Sequence, residues 1–169
     1  KDDPMLDCRL PAQERPWRQP LRVILDPDER TPEEAQVVQT TTQAGTLLVL
    51  ARPAQRAEVW RRLGVQTWVC PSERGILDLD ALLGQLGQQK VTGLLVEGGT
   101  TTHTYFWQKG AVDKYTVFVA PKIVGGDSAL WPIRGEGCET IGQATVLDDV
   151  TVEAFGNDVA ITGYCRRKE

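Results

Sequence analysis

Histidine and serine are nearly missing from this chain. His103 is the only histidine, and Ser72 and Ser128 are the only serines. No GxSxG occurs, so a Ser-His-Asp hydrolase is not expected. The His-x-Glu and Pro-Cys-x-x-Cys pair of the zinc deaminases is absent as well. The four cysteines, Cys8, Cys70, Cys138 and Cys165, lie far apart and form no CxxC. They argue against a zinc cluster or redox pair and read as reduced, mostly buried thiols of a cytosolic protein, though a disulfide between two of them stays open. No apolar run approaches the ~18 residues of a membrane span. Neither GxGxxG nor GxxxxGK[ST] appears. The net charge of −4 supplies no general field for nucleic acid or a membrane surface. An initiator methionine is also lacking. The chain opens at Lys1-Asp2-Asp3-Pro4, and we expect a fragment or a processed chain.

What is present fits a folded domain. At 169 residues, 41% hydrophobic and 25% charged, the chain is expected to form one domain over residues 1–169. Residues 11–20, with three prolines, predict an extended loop. Residues 21–26 predict a strand ended by Pro27-Asp28. Thr31, Pro32 and Glu34 have the spacing of a capping box and predict a short helix to Val38. Residues 46–51 are apolar on both faces, as in a strand inside a covered sheet. A helix over 55–63 with Gly64 as its stop and a strand over 65–70 follow. Leu79, Leu82, Leu83 and Leu86 predict a helix with one buried face, capped by Asp78 or Asp80. A strand over 93–97, a helix over 100–109 and a strand over 115–120 complete a β-α-β order that implies a largely parallel sheet. Residues 145–155 and 158–166, joined by Gly156-Asn157, predict a terminal antiparallel hairpin. The fold class is α/β, a mixed and mostly parallel sheet with crossover helices.

The segment Leu94-Leu-Val-Glu97-Gly98-Gly99-Thr100-Thr101-Thr102-His103 concentrates the chemistry. Ligands of open α/β sheets sit at the carboxyl ends of strands, and free amides at a helix start favour phosphate. Glycines permit close approach, and threonine hydroxyls add donors. One reading is a pyrophosphate cradle beside an acid. The other is a glycine turn with threonine caps and a solvated Glu97. His103 reads more readily as a capping or solvent-facing residue than as a catalyst. Trp17, Trp60, Trp68, Trp107 and Trp131 follow no stacking period, and Arg166-Arg167-Lys168 reads as a solvated tail.

Three stretches in order carry a family resemblance. Asp2-Asp3-Pro4-Met5-Leu6-Asp7-Cys8-Arg9, Gln19-Pro-Leu-Arg-Val-Ile-Leu-Asp26, and Leu94-Leu-Val-Glu-Gly-Gly with Val119-Ala-Pro-Lys-Ile-Val-Gly-Gly126 resemble the reductase domain of the bifunctional riboflavin deaminase-reductases. The resemblance spans nearly the whole chain. It implies a dihydrofolate-reductase-like fold, NADPH as cofactor and a ribosylamino-pyrimidine 5′-phosphate as substrate, with the ribosyl chain reduced to ribityl. It places Glu97, Leu6 and Arg9 on substrate contacts, Arg9 being suited to phosphate. It places Asp2, Gly99, Thr100, Thr101, Thr102, His103, Thr104 and Tyr105 on the cofactor. It further implies a homodimer and a deaminase domain in the same or a separate chain; the deaminase motifs are absent from these residues. No catalytic proton donor is identified, and Glu97 is the best polar candidate at the sugar.

Two departures bear on function. Pro27 stands where the family has serine, removing a hydroxyl and an amide, and Asp7 stands where it has threonine. The resemblance also puts Asp2 in mid-domain, so a strand, a helix region and further ligands are expected upstream. Two other functions stay open: a catalytically silent dimerisation or scaffolding domain, and a reductase of a related pyrimidine or pterin.

Overall fold

The computed structural model describes residues 2–10, 18–126 and 129–166. Most of the proline-rich loop, the Asp127-Ser128 step and the basic tail from Arg167 fall outside that range. The chain forms two compact units, residues 1–92 and 93–169.

The first unit is built on a parallel sheet. Its strands are β1 (Arg22–Leu25), β2 (Thr46–Leu50) and β3 (Gln66–Val69), in the order β1-β2-β3. Arg22 faces Thr46 and Leu47 faces Gln66 across the two ladders. Every residue of β2 is buried, as a central strand covered on both sides requires. The crossovers carry helices α1 (Gln36–Gln39) and α2 (Ala57–Arg62). Val38, Leu48, Leu50, Trp60 and Val65 form the core, with Trp60 fully enclosed. Helix α2 stops where Gly64 takes φ +73°, and the Val65 amide donates back to the Trp60 carbonyl at 2.9 Å.

A two-stranded hairpin, β4 (Ser72–Glu73) and β5 (Ile76–Leu77), precedes helix α3 (Leu79–Gln88). Its turn residues Arg74 and Gly75 both have positive φ, as a type I′ turn demands. Asp78 caps α3 by accepting from the Ala81 amide at 3.0 Å, and Leu79, Leu82 and Leu86 line its buried face. The helix ends as α2 does, but Lys90 takes the left-handed position usually given to glycine.

The second unit joins one helix to an antiparallel sheet. Helix α4 (Thr100–Gln108) precedes β6 (Lys114–Val119), β7 (Leu147–Phe155) and β8 (Asp158–Cys165), in the sheet order β6-β8-β7. Gly156 has φ +63°, as the first turn residue of a type II′ hairpin requires. The ladder shifts register between Asp148 and Thr151, a bulge at which Asp149 turns to φ +51°. Gly163 sits opposite, where a Cβ would lie 2.9 Å from Leu147 Cβ. A 3₁₀ turn, Ile141–Gln143, begins with a Thr140–Gln143 capping box.

The mixed α/β class agrees with the sequence, and three local expectations do not. Residues 93–97 join no ladder among the described residues, and Leu95 is 81% exposed. An apolar run supplies side chains for a strand but not the neighbouring backbone that makes one. Second, β6 pairs antiparallel with β8 instead of extending the parallel sheet. Third, Thr31 caps no helix: α1 starts five residues later, after Ala35. The Thr31 amide and hydroxyl both donate to Asp26, at 2.7 and 2.6 Å, a stronger acceptor than a helix end offers.

Asp26 fixes the turn after β1. It is buried and also accepts from the Arg30 amide at 2.8 Å. Burial raises the cost of its charge, but the Thr31 hydroxyl, the two amides and the nearby Arg30 outweigh that cost and hold the carboxyl below its ordinary range. A folded-state pKa below the unfolded one means that the stabilisation is complete above the unfolded value and is lost as pH falls through the folded one. Asp26→Ala is therefore expected to cost about 2 kcal/mol near neutral pH, through two stranded amides and a hydroxyl. Urea unfolding of both proteins should show that gap constant from about pH 7 to about pH 5 and shrinking as the pH falls below about 4. A gap independent of pH rejects the assignment.

Candidate functional site

In the second unit, the residues expected to carry the cofactor surround the start of α4. Gly98 has φ +156°, and the Cβ it lacks would lie 3.4 Å from the Thr102 side chain. Gly99 is the N-cap residue, with an extended backbone and no side-chain cap bond. A Cβ built on Gly99 meets nothing within 4 Å. The first intrahelical bond runs from the His103 amide to the Gly99 carbonyl at 3.2 Å. The amides of Thr100, Thr101 and Thr102 precede it and have no partner within the helix. Glu97, Gly98, Gly99 and Thr101 are exposed, whereas Thr100, Thr102, His103, Thr104 and Tyr105 are half-buried. The arrangement is an uncapped positive helix end with open space in front of it, suited to an anion.

The threonines are divided in use. Thr100 donates its hydroxyl to the Trp131 carbonyl. The Thr104 hydroxyl accepts from the Arg134 amide at 2.8 Å. Both side chains tie α4 to residues 129–134, and the Arg134 guanidinium closes that loop on the Ala129 carbonyl at 3.3 Å. Thr101 is thus the exposed hydroxyl of the first turn. At the other end of α4, Gly110 takes φ +64° and the Ala111 amide donates to the Phe106 carbonyl, closing the helix. A shallow hollow of about 460 Å³ opens at that end, against Trp107, Glu136, Cys138 and Glu139. It is separate from the Gly99 end and had no signature in the sequence.

The other expected ligands, Asp2, Leu6 and Arg9, belong to the first unit. Asp2 is exposed. Leu6 packs against the core cluster of Val38, Leu48 and Trp60. Arg9 donates from Nε to Asp7 Oδ1 at 2.9 Å with its side chain 72% exposed. The residue that departs from the family's threonine therefore pairs with the arginine expected to meet phosphate. At the other departure, the Pro27 carbonyl accepts from the Ala51 amide at 3.2 Å.

One set of residues escaped the sequence reading. Glu29 accepts from the Gln55 and Arg56 amides at 2.7 and 2.9 Å and from the Trp60 indole at 2.6 Å. Burial disfavours its charge, but these bonds and Arg56 prevail and hold the carboxyl low. Arg56 also stacks 4.4 Å over the Trp60 ring. Glu29 lies 27 residues before Arg56, too far apart for a local pattern to reveal. Among the described residues, no three His, Cys, Asp or Glu side chains are placed to share a metal ion. No helix there is long and apolar enough to cross a membrane.

Known proteins match this layout. The family model of the RibD C-terminal domain matches residues 1–161. The riboflavin biosynthesis protein RibD of Actinobacillus pleuropneumoniae is 36% identical over 161 residues, 95% of this chain and 42% of that protein. The 2,5-diamino-6-ribosylamino-4(3H)-pyrimidinone 5′-phosphate reductase of Methanothermobacter thermautotrophicus is 31% identical over 163 residues, 95% of this chain and 72% of that one. The structure of Acinetobacter baumannii RibD superposes with a TM-score of 0.80 at 25% identity, covering 98% of this chain and 44% of its own. The chain thus spans about two fifths of the RibD proteins it matches. With a family model covering nearly its whole length, the chain belongs to the RibD C-terminal domain family.

Proposed function

We propose that this chain is a reductase domain of riboflavin biosynthesis, using NADPH to convert the ribosyl group of 5-amino-6-(5-phosphoribosylamino)uracil into ribityl. The observation that carries the reading is the uncapped start of α4, with Gly99 leaving its front open, in a chain matched by the RibD C-terminal domain model. Gly98, Gly99 and the amides of residues 100–102 hold the cofactor diphosphate, the His103 amide being engaged by the Gly99 carbonyl, with the Thr101 hydroxyl as a further donor. Asp2 is a second cofactor contact. Leu6, Arg9 and Glu97 meet the substrate, Arg9 at its phosphate.

NADPH, when bound, supplies the hydride. That hydride would take the place of the ring oxygen on the sugar carbon attached to the 6-amino nitrogen, and the freed oxygen would take up a proton to become the new hydroxyl. In this reading Glu97 is the polar partner of the sugar. The protein's contribution is chiefly orientation, holding phosphate and diphosphate so that the reacting carbons stay in line.

The name of the Methanothermobacter relative supports a second reading, in which the ring is a diaminopyrimidinone. Pro27 supports a third, a silent scaffold, because it withholds an amide and a hydroxyl from the cofactor. We further propose a cytoplasmic homodimer, with a deaminase domain in the same chain as in RibD relatives. Phe118, Val152 and Phe155 on the antiparallel sheet, each more than half exposed, support pairing. Sedimentation of the full-length protein at micromolar concentration is expected to give a dimer, and a monomer there rejects the pairing.

Gly99→Val tests the cofactor site. The extended backbone and free space at Gly99 admit valine without strain, so the variant should fold with a loss of no more than about 1 kcal/mol from the poorer N-cap. NADPH should nevertheless bind at least about tenfold more weakly, because the branched side chain fills the approach to the amides. Gly135→Val is the contrast: at φ +116°, a backbone value that side-chain-bearing residues rarely adopt, it should destabilise by about 1–3 kcal/mol. Urea unfolding and NADPH titration separate the two. Unchanged NADPH affinity in folded Gly99→Val rejects the site, and a parent protein that binds no NADPH favours the scaffold.

A further inference from the structure

Residues 2–9 adopt neither helix nor strand, yet their path is closely determined. Asp3 and Leu6 take φ +39° and +49°, left-handed values that non-glycine residues adopt at a cost. Such residues persist only where their surroundings over-determine them, and they gather at binding sites. Here the surroundings are three side-chain pins. The Gln36 amide donates to Asp3 Oδ1 at 2.9 Å, and its side chain donates to the Asp3 carbonyl at 2.7 Å. The buried Arg22 guanidinium donates to the Met5 carbonyl at 3.0 Å and is itself anchored on the Thr40 hydroxyl and carbonyl.

The third pin is Gln19. Its Oε1 accepts from the Cys8 amide at 2.8 Å, and its Nε2 donates to the Cys8 carbonyl at 3.0 Å. One carboxamide thus satisfies both backbone polar groups of one residue, as the facing residue of a β-ladder would. Cys8 is flanked by Asp7 and Arg9, which form the 2.9 Å pair. Only Arg9 Nε is hydrogen-bonded in that pair, and its outer nitrogens make no hydrogen bond to Asp7.

We propose that Gln19 is a positioning residue for the phosphate grip: by clamping both backbone groups of Cys8, it sets the direction in which Arg9 presents its guanidinium fork. The proposal rests on the reading of Arg9 as a phosphate ligand. Gln19 itself touches neither substrate nor reacting atoms. Its loss releases the backbone on both sides of Cys8, and Arg9 must then be ordered during binding.

The test uses the full-length protein with 5-amino-6-(5-phosphoribosylamino)uracil and NADPH. Gln19→Leu keeps the approximate volume and removes both bonds. The KM for the pyrimidine phosphate is expected to rise about tenfold with kcat changed less than about threefold, the pattern of lost binding rather than lost chemistry. Arg9→Met should raise that KM at least as much. Because Gln19 acts through Arg9, the double variant should be no worse than Arg9→Met alone, an outcome a merely structural role does not produce. Additive losses, or an unchanged KM in folded Gln19→Leu beside a clear Arg9→Met effect, overturn the role of Gln19 alone. An Arg9→Met protein with unchanged KM overturns the phosphate reading of Arg9, and this proposal with it. Should Gln19→Leu fail to fold, Gln19→Glu, which keeps the acceptor for the Cys8 amide, is judged by the same criteria.

Discussion

Burying β2 along its whole length is the constraint on which the first unit depends. A strand enclosed on both faces needs hydrogen-bonded neighbours on both edges, and β1 and β3 supply them in parallel. Parallel pairing forces crossovers, and the crossovers place turns at the carboxyl ends of the strands. Those turns leave backbone amides without a partner in helix or strand. Asp26 and Glu29 accept from them, the first in the turn it begins and the second at the start of α2. Their charges persist because each accepts several hydrogen bonds, and Glu29 has Arg56 as counter-charge as well.

The second unit answers a different requirement. A helix start without a side-chain cap keeps its first amides free. At α4 the N-cap is a glycine, and the hydroxyls of Thr100 and Thr104 are drawn sideways onto residues 131 and 134. The helix is therefore held along its flank while its positive end stays open. A serine or aspartate at position 99 would satisfy the same amides internally and add local stability.

What could be read from the sequence follows from how local each signal is. β2 was legible because five consecutive apolar or small residues leave no polar face. The hairpin of β7 and β8 was legible because Gly156-Asn157 fixes the turn. The glycine-threonine helix start was legible as an element, and the three family stretches added its chemical meaning. The run at 94–96 misled because hydrophobicity does not specify a ladder partner. The pairing of β6 with β8 was hidden because nearly fifty residues separate Thr116 from its partner Thr162. Arg74-Gly75 is not among the common turn pairs, so β4 and β5 went unseen. The clamps at Gln19 and Glu29 connect residues whose spacing has no period at all.

The bulge in β7 has a consequence for inheritance of the fold. Sliding a hairpin by one residue turns every side chain to the opposite face. Here the bulge at the left-handed Asp149 brings Leu147, Asp148 and Val150 against the absent Cβ of Gly163, a fit available at a single alignment. Beyond the bulge, Arg166 grips Asp148 and locks the open end of the same pair of strands. Sequence drift on the exposed faces of β7 and β8 can therefore be extensive without altering which residues oppose one another. A side chain at position 163 would unlock the alignment itself, and the damage would appear as competing pairings rather than as one weakened contact.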